Sequence, residues 1–133
     1  MPIVTTIEGR IAQVAIDRPE KRNTLSSELC KDLAREFLEL NDDTRVRSIV
    51  LCGHNNVFCA GLDIEEQLAE NTPIFNEFQK VIDALDALSK PVVAAVSGPA
   101  VSQGAAMLYH CDLVFAGEHA LFSMPGLALG QTP

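Results

Sequence analysis

The sequence has no apolar run long enough to cross a membrane, because Lys90 and Asp112 bracket its longest weakly polar section. Its first residues also lack the basic segment and following apolar segment of a secretory signal. These absences predict a cytoplasmic protein, with peroxisomal and mitochondrial locations kept open. A length of 133 residues is enough for one domain, 1–133, around one core.

Basic residues are scarce, since 10 Lys and Arg stand against 18 Asp and Glu, and the formal charge is −8. This balance argues against nucleic acid or an anionic membrane as a partner, although an anionic small molecule can still bind locally. The four cysteines show no C-x-x-C spacing and the three histidines are scattered, so no metal site is predicted. We expect the cysteines to be reduced and buried.

The stretch from Val92 to Ala116 places a turn of small residues between two apolar runs. Val92 to Val96 predicts a strand buried on both faces, which Ser97-Gly98-Pro99 ends. Small residues then lead into a helix that ends near His110. Free N–H groups in the first turn of such a helix can stabilise negative charge that develops on a carbonyl oxygen. On this stretch alone, a tight crossover without a ligand is the favoured interpretation.

A second junction of the same kind lies at Val57 to Ile64, which predicts a strand, a glycine turn and a helix start. The other predicted elements are a hairpin of 3–7 and 11–16, a charged loop 17–23, a helix 26–40, a strand 47–53, a helix starting at Thr72-Pro73, and strands 113–116 and 121–124. Strand-turn-helix units in series predict an α/β fold with a largely parallel sheet. Ligands bind beyond the carboxyl ends of such strands, where both glycine junctions lie.

Four segments in this order resemble the crotonase (enoyl-CoA hydratase/isomerase) superfamily, and they are 17–23, 58–64, 98–101 and 111–116. The resemblance implies a spiral of ββα units that binds a coenzyme A thioester as substrate, with no further cofactor. It also implies that the backbone N–H groups of Leu62 and Gln103 hold the thioester oxyanion. Family members usually have glycine around position 103, so Ser102-Gln103 is a departure, but a backbone donor survives any side chain except proline.

By the same resemblance, a set of residues faces the coenzyme. The Ala60 backbone is expected near the adenine, and Lys21 or Arg22 near the phosphates. Asp63 belongs to the same motif and is included in the coenzyme-binding set, with capping of the following helix as its alternative role.

The two glutamates of hydratases in this family fall on Ala106 and Gly126, and neither residue can take a proton. Hydration by two carboxylates is therefore not expected, and the mitochondrial-type isomerases are disfavoured for the same reason. The segments 98–101, 122–125 and 129–133 resemble instead the peroxisomal-type Δ3,Δ2-enoyl-CoA isomerases and the chromodomain-Y-like proteins. In those isomerases the catalytic glutamate directly follows the stretch that ends here at Pro133.

Two interpretations follow from the resemblance. The first is an acyl-CoA isomerase whose base lies beyond Pro133, and the second is a non-catalytic acyl-CoA-binding or interaction module. Another crotonase chemistry, such as thioester hydrolysis, is a third. Three acids of the chain are assigned no catalytic role: Glu65 and Glu66 are expected on a solvated helix face, and Asp112 in a structural loop contact.

Family members are longer and carry C-terminal helices that cover the acyl pocket and build trimers. The resemblance therefore describes this chain as an N-terminal spiral core, truncated before the C-terminal helical region, of a homo-oligomeric parent. Without the C-terminal helices, apolar surface should be exposed, and we expect the chain to self-associate as a result.

Overall fold

Seven strands and four α-helices occupy residues 2–70 and 74–126, which the computed structural model describes. The strands are β1 (Ile3–Glu8), β2 (Ile11–Ile16), β3 (Ser48–Gly53), β4 (Val92–Val96), β5 (Pro99–Val101), β6 (Leu113–Ala116) and β7 (Leu121–Ser123). The helices are α1 (Ser27–Asp42), α2 (Ile64–Glu70), α3 (Ile74–Ala87) and α4 (Gln103–Ala106). Short 3-10 turns cover Pro19–Lys21 and Met107–His110.

The main sheet has five strands in the order β1-β2-β3-β4-β6, and β5 pairs with β7 in a separate two-stranded sheet. β1 and β2 form an antiparallel hairpin, whereas β2, β3, β4 and β6 run parallel. Helices connect the parallel strands, as such pairing requires. The predicted α/β class, the hairpin and the largely parallel sheet are confirmed.

The core lies between one face of the main sheet and the two long helices, α1 and α3. α1 begins at Ser26, whose side-chain oxygen accepts a hydrogen bond from the Leu29 N–H at 3.1 Å. Its apolar residues recur every three or four positions, so Leu33 and Phe37 are both buried against the sheet. Burying one such side chain contributes about 1.5–3 kcal/mol.

Three predictions about the strands need correction. Residues 57–60 do not form a strand, because only Cys59 pairs, through a single bridge to Ala100. The turn after β4 contains a strand of its own, β5, which the proline at its start concealed. β4 alternates between buried and half-buried residues and is not buried on both faces. The predicted helix start at Thr72-Pro73 lies outside the described residues.

The last strands of the described chain expose apolar side chains. Leu113, Val114 and Phe115 of β6 are 58%, 43% and 64% exposed, and Leu121 and Phe122 of β7 are exposed as well. This is the kind of surface from which self-association was expected, and the oligomeric state stays a prediction. No helix in the described residues is long and apolar enough to span a membrane.

Candidate functional site

The first junction is a loop from Cys59 to Asp63 that is held by the charged loop before α1. The Ala60 N–H donates to the Arg22 carbonyl at 3.2 Å, and the Leu25 N–H donates to the Gly61 carbonyl at 2.8 Å. The Asp63 N–H in turn donates to the Leu25 carbonyl at 2.8 Å. Gly61 has a φ of +101°, which L side chains rarely adopt, so the turn requires glycine there. These bonds fix the backbone on both sides of Leu62.

The second junction connects β5 to α4 through Ser102. The Ser102 N–H donates to the Ser123 carbonyl of β7 at 2.8 Å, and Gln103 is the first residue of α4. Ser102 has φ 55° and ψ −119°, a backbone conformation that favours glycine. Its hydroxyl donates to the Gln103 side-chain oxygen at 2.7 Å.

The structure brings the two junctions into contact. The Val101 N–H donates to the Cys59 carbonyl at 2.9 Å. A Cβ added to Gly61 would stand 3.1 Å from the Val101 carbonyl oxygen and 3.5 Å from the Gln103 Oε1 atom. A Cβ on Gly104 would overlap the Cys59 carbonyl group. The lack of side chains at these two glycines therefore allows the backbones to approach.

Two backbone donors remain at this contact. Among residues 2–70 and 74–126, the N–H groups of Leu62 and Gln103 have no hydrogen-bond acceptor. Leu62 is only 6% exposed, and its N–H lies in a protein environment where a charge-stabilising donor is stronger than in water. Two donors on touching loops can stabilise one carbonyl oxygen that gains negative charge.

An open cleft of about 840 Å³ adjoins the first junction, between the start of α1 and α2. Its lining residues carry both signs of charge; the basic ones are Arg18, Lys21, Lys31 and Arg35, and the acidic ones are Glu28, Asp32, Asp63, Glu65 and Glu66. We call this space the charged cleft. It combines positive groups that suit an anionic ligand with carboxylates that oppose one.

The residues expected to face the coenzyme lie in or beside the charged cleft. Lys21 lines it, and its Nζ is 2.8 Å from the Glu65 Oε2. The hydrogen bond from Lys21 to Glu65, with the attraction of that carboxylate, raises the pKa of Lys21. Arg22 has a φ of 53° and contributes its carbonyl to Ala60. The structure thus gathers Lys21, Arg22 and Ala60 around the loop that carries Leu62.

Asp63 has a structural role. One carboxylate oxygen is 3.0 Å from the Arg18 guanidinium, and the other accepts the Glu66 N–H in the first turn of α2 at 3.2 Å. Burial opposes ionisation, but the bonds from Glu66 and Arg18 outweigh it, and the pKa of Asp63 is lowered. The capping role predicted as its alternative is confirmed.

The three acids without an assigned catalytic role all have structural partners. The Asp112 carboxylate accepts the Val92 N–H at 2.7 Å, which confirms its predicted loop contact. Glu65 is an exposed residue paired with Lys21, as a solvated face predicts. Glu66 is different, because its carboxylate accepts the Ser27 N–H at 3.1 Å and so stabilises the start of α1.

Sequence reasoning missed Glu77, a partly buried acid on the apolar face of α3. Its Oε1 is 3.2 Å from the Lys80 Nζ, while its Oε2 is buried and has no hydrogen-bond partner among residues 2–70 and 74–126. Glu77 stands three residues after Ile74 and four before Val81, both of them core residues. This spacing places Glu77 on the core-facing side of the helix and could have indicated a buried acid, because acids are uncommon within a helix's apolar stripe.

A small apolar hollow of about 380 Å³ lies beside α4. Its lining residues are Ala105, Leu108, Tyr109, Val114, Phe122, Ser123 and Met124. Nearby, Ala106 is part of α4, and Gly126 is the last residue of the described chain. Neither of these two residues carries a titratable group.

The thiols do not contribute reactive groups. Burial is the main cause that raises the pKa of Cys30 and of Cys59 to about 12, so both remain neutral at ordinary pH. All four cysteines are free; Cys30 and Cys59 are buried as predicted, and Cys52 and Cys111 are half-buried. The described part of the chain contains no group of three or more side chains that could hold a metal ion.

Comparison with known proteins identifies relatives along the whole chain. Residues 6–133 match the model of a family described as enoyl-CoA hydratase/isomerase. A short-chain-enoyl-CoA hydratase from Clostridium acetobutylicum is 35% identical over 98% of this chain and 52% of its own length. The 2,3-dehydroadipyl-CoA hydratase of Escherichia coli is 32% identical over 98% of this chain and 52% of its own.

Solved structures agree. OdaA from Pseudomonas aeruginosa superposes with a TM-score of 0.92 at 36% identity, over 99% of this chain and 54% of its own. A protein from Magnetospirillum magneticum, described as an enoyl-CoA hydratase/carnithine racemase, superposes with a TM-score of 0.91 at 34% identity, over 99% of this chain and 52% of its own. The chain therefore spans about half the length of the relatives it matches.

Proposed function

The chain belongs to the enoyl-CoA hydratase/isomerase family, and from this premise we propose that it binds an acyl-CoA thioester with the thioester carbonyl oxygen between the Leu62 and Gln103 N–H groups. The observation that carries the proposal is the pair of unpartnered backbone donors on touching loops. A carbonyl oxygen that gains negative charge is the group that such donors stabilise best. The charged cleft beside the loop of Leu62 offers Lys21 for the coenzyme phosphates, and Arg22 and Ala60, which are bonded to each other, lie in the two loops next to it.

For the whole protein, we propose isomerase chemistry of the enoyl-CoA type. A base removes a proton from C2 of a 3-enoyl-CoA and returns it to C4, and the two N–H groups stabilise the enolate that forms between these steps. Such a reaction needs one carboxylate. Relatives of this chain are named hydratases, but by the family resemblance the two hydratase glutamates fall on Ala106 and Gly126 here, and neither residue can take a proton. The base would lie beyond Pro133.

The alternative is an acyl-CoA-binding module without catalysis. The observation in its favour is that Glu65, Glu66 and Asp112 each hold a structural contact. An acid that is already bonded to a backbone N–H or a lysine is a poor proton acceptor, because those bonds stabilise its charged form.

The test is isothermal titration of the chain with butyryl-CoA and with the matching S-butyl thioether of coenzyme A, which lacks the carbonyl oxygen. We expect the thioester to bind at least about fivefold more tightly, since one or two additional hydrogen bonds are worth about 1 kcal/mol or more. Equal affinities would contradict an oxyanion site at Leu62 and Gln103. If neither ligand binds, the result would contradict the acyl-CoA proposal for this chain.

A 3-enoyl-CoA isomerisation assay on the same sample separates the two candidate functions. Binding without turnover is the result expected if Glu65, Glu66 and Asp112 keep their structural contacts and no other acid of the chain reaches the substrate. Turnover would show that a carboxylate of this chain, such as Glu65, Glu77 or Asp112, reaches the substrate.

A further inference from the structure

Two ion pairs in the charged cleft differ in how far their side chains are buried. In the first, the Arg18 guanidinium is 3.0 Å from Asp63, and the side chains are 20% and 9% exposed. In the second, Lys21 is 2.8 Å from Glu65, and the side chains are 41% and 83% exposed. The first pair is part of the protein interior, whereas the second stands in solvent at the mouth of the cleft.

The hydrogen bonds of the two carboxylates show the same difference. Asp63 also caps α2 through the Glu66 N–H, so its position is fixed by two partners. Glu65 has Lys21 as its one hydrogen-bond partner within residues 2–70 and 74–126. An exposed pair held by a single contact contributes little to stability, and an incoming anion can displace its carboxylate.

The charged cleft adjoins the loop that carries the Leu62 N–H. Asp63, which lines the cleft, directly follows Leu62, and the loop that carries Lys21 is bonded to the loop that carries Ala60. A thioester whose carbonyl lies at Leu62 must extend its long coenzyme portion away from the buried contact of the two junctions. The open cleft beside Leu62 gives that portion room, and its phosphates then meet Lys21 and Glu65 together.

We propose that Glu65 determines specificity at this site: it competes with the ligand's phosphate groups for Lys21 and so weakens binding of the nucleotide part of coenzyme A relative to the acyl-pantetheine part. This inference rests on the proposed binding of an acyl-CoA. The effect falls at high salt, because both groups are exposed.

The experiment is isothermal titration of the wild-type chain and the Glu65→Gln variant with butyryl-CoA and with S-butyryl-pantetheine, which has the same acyl end but no phosphate. Glutamine keeps the size of the side chain and the helix propensity of α2. We expect the variant to bind butyryl-CoA about three- to fivefold more tightly at low salt and S-butyryl-pantetheine with unchanged affinity. The matched control is Glu118→Gln, which removes an exposed carboxylate outside the charged cleft and should change neither affinity.

A second variant tests the route through Lys21. In a Lys21→Gln background, the Glu65→Gln change should lose most of its effect, because the competed group is gone. Persistence of the full effect without Lys21, an equal gain for both ligands, or no gain for butyryl-CoA would each overturn the inference. Wild-type binding with no response to Glu65→Gln leaves the proposed function standing, whereas absence of butyryl-CoA binding in both proteins overturns function and inference together.

Discussion

The two turns of the candidate site touch, and each carries a backbone N–H that has no acceptor among the described residues, but they differ in the residue that takes the unusual backbone conformation. In the first turn Gly61 has a φ of +101°, and glycine adopts this conformation at no steric cost. In the second turn Ser102 has a φ of 55° and a ψ of −119°, which costs a residue with a Cβ about 1–3 kcal/mol. The second turn is therefore strained where the first is relaxed, and neighbouring structure must hold it in place. The Ser102 N–H bond to Ser123 and the packing of Gly104 on Cys59 provide that hold.

Gly104→Ala should have the largest effect, because it breaks the contact that holds the strained turn. The added Cβ would overlap the Cys59 carbonyl, and backbone on both sides would have to move. We expect the free energy of unfolding to fall by about 3 kcal/mol or more in urea denaturation. Gly9→Ala is the control: Gly9 also has a positive φ of 62°, but its added Cβ meets nothing within 4 Å, so the loss should be about 1–2 kcal/mol. Equal losses at the two glycines would show that the junctions do not need their close approach.

Alkaline pH should weaken the relaxed turn, because a buried thiol lies beneath it. The Cys59 Sγ is 3.8 Å from the Gly61 carbonyl, and burial raises the pKa of Cys59 from 9.0 to about 12. The unfolded chain then loses this proton at a lower pH than the folded chain. The stabilisation is complete below pH 9 and is lost as the pH rises toward 12, with a slope of up to about 1.4 kcal/mol per pH unit for each such thiol.

Urea denaturation between pH 8 and 11 measures that slope, with Cys30 contributing in the same direction. Cys59→Ala should make it shallower. Cys52→Ala, which removes a half-buried thiol, should change it less. An unchanged slope in Cys59→Ala would mean that Cys59 ionises as readily in the fold as in the unfolded chain.

Relief of the strained turn should give a smaller, stabilising effect. Ser102→Gly removes the Cβ that opposes the positive φ but adds the greater backbone entropy of glycine in the unfolded chain, so we expect a net gain of about 1 kcal/mol in the free energy of unfolding. Ser97→Gly, at an exposed position without a positive φ, should instead lose about 0.5–1 kcal/mol. Destabilisation of both variants by the same amount would show that Ser102 is not strained.

The regular and the irregular parts of the molecule were not equally predictable. Residues of α1 such as Leu33 and Phe37, and of β2 such as Val14, followed simple periods, because one face of each element packs on the core. The turns follow no period. Val57 to Ala60 has strand-like composition yet forms only a single bridge, at Cys59. Its backbone bonds are divided between β5 and the loop that contains Arg22, both distant in sequence.

The candidate site shows the same limit. The motif around Gly61 and the small residues around Gly104 were enough to predict that the two turns come together, and they do. The joint role of the Leu62 and Gln103 N–H groups stays a prediction. The partners of the acids were not predictable from local sequence: Glu66 bonds to Ser27, 39 residues away, and Lys21 to Glu65, 44 residues away. Such long-range pairs depend on the packing of α2 against the start of α1, which no local pattern encodes. Glu77 lies within the apolar stripe of α3, and the spacing of its apolar neighbours predicts the helix without showing how deeply the acid is buried.

Replacement of the Gln103 side chain should have the smallest effect on binding. It tests whether the second turn, like the first, acts through its backbone N–H and not through a side chain. If both turns act through their backbone N–H groups, the side chains at Leu62 and Gln103 do not matter for the donor itself. Gln103→Ala keeps the N–H and removes only the carboxamide that accepts the Ser102 hydroxyl. We therefore expect its affinity for butyryl-CoA to stay within about twofold of the wild type, and the preference for the thioester over the S-butyl thioether to be kept. A tenfold loss confined to the thioester would assign the stabilising contact to the Gln103 side chain, and the second turn would then differ from the first in chemistry as well as in strain.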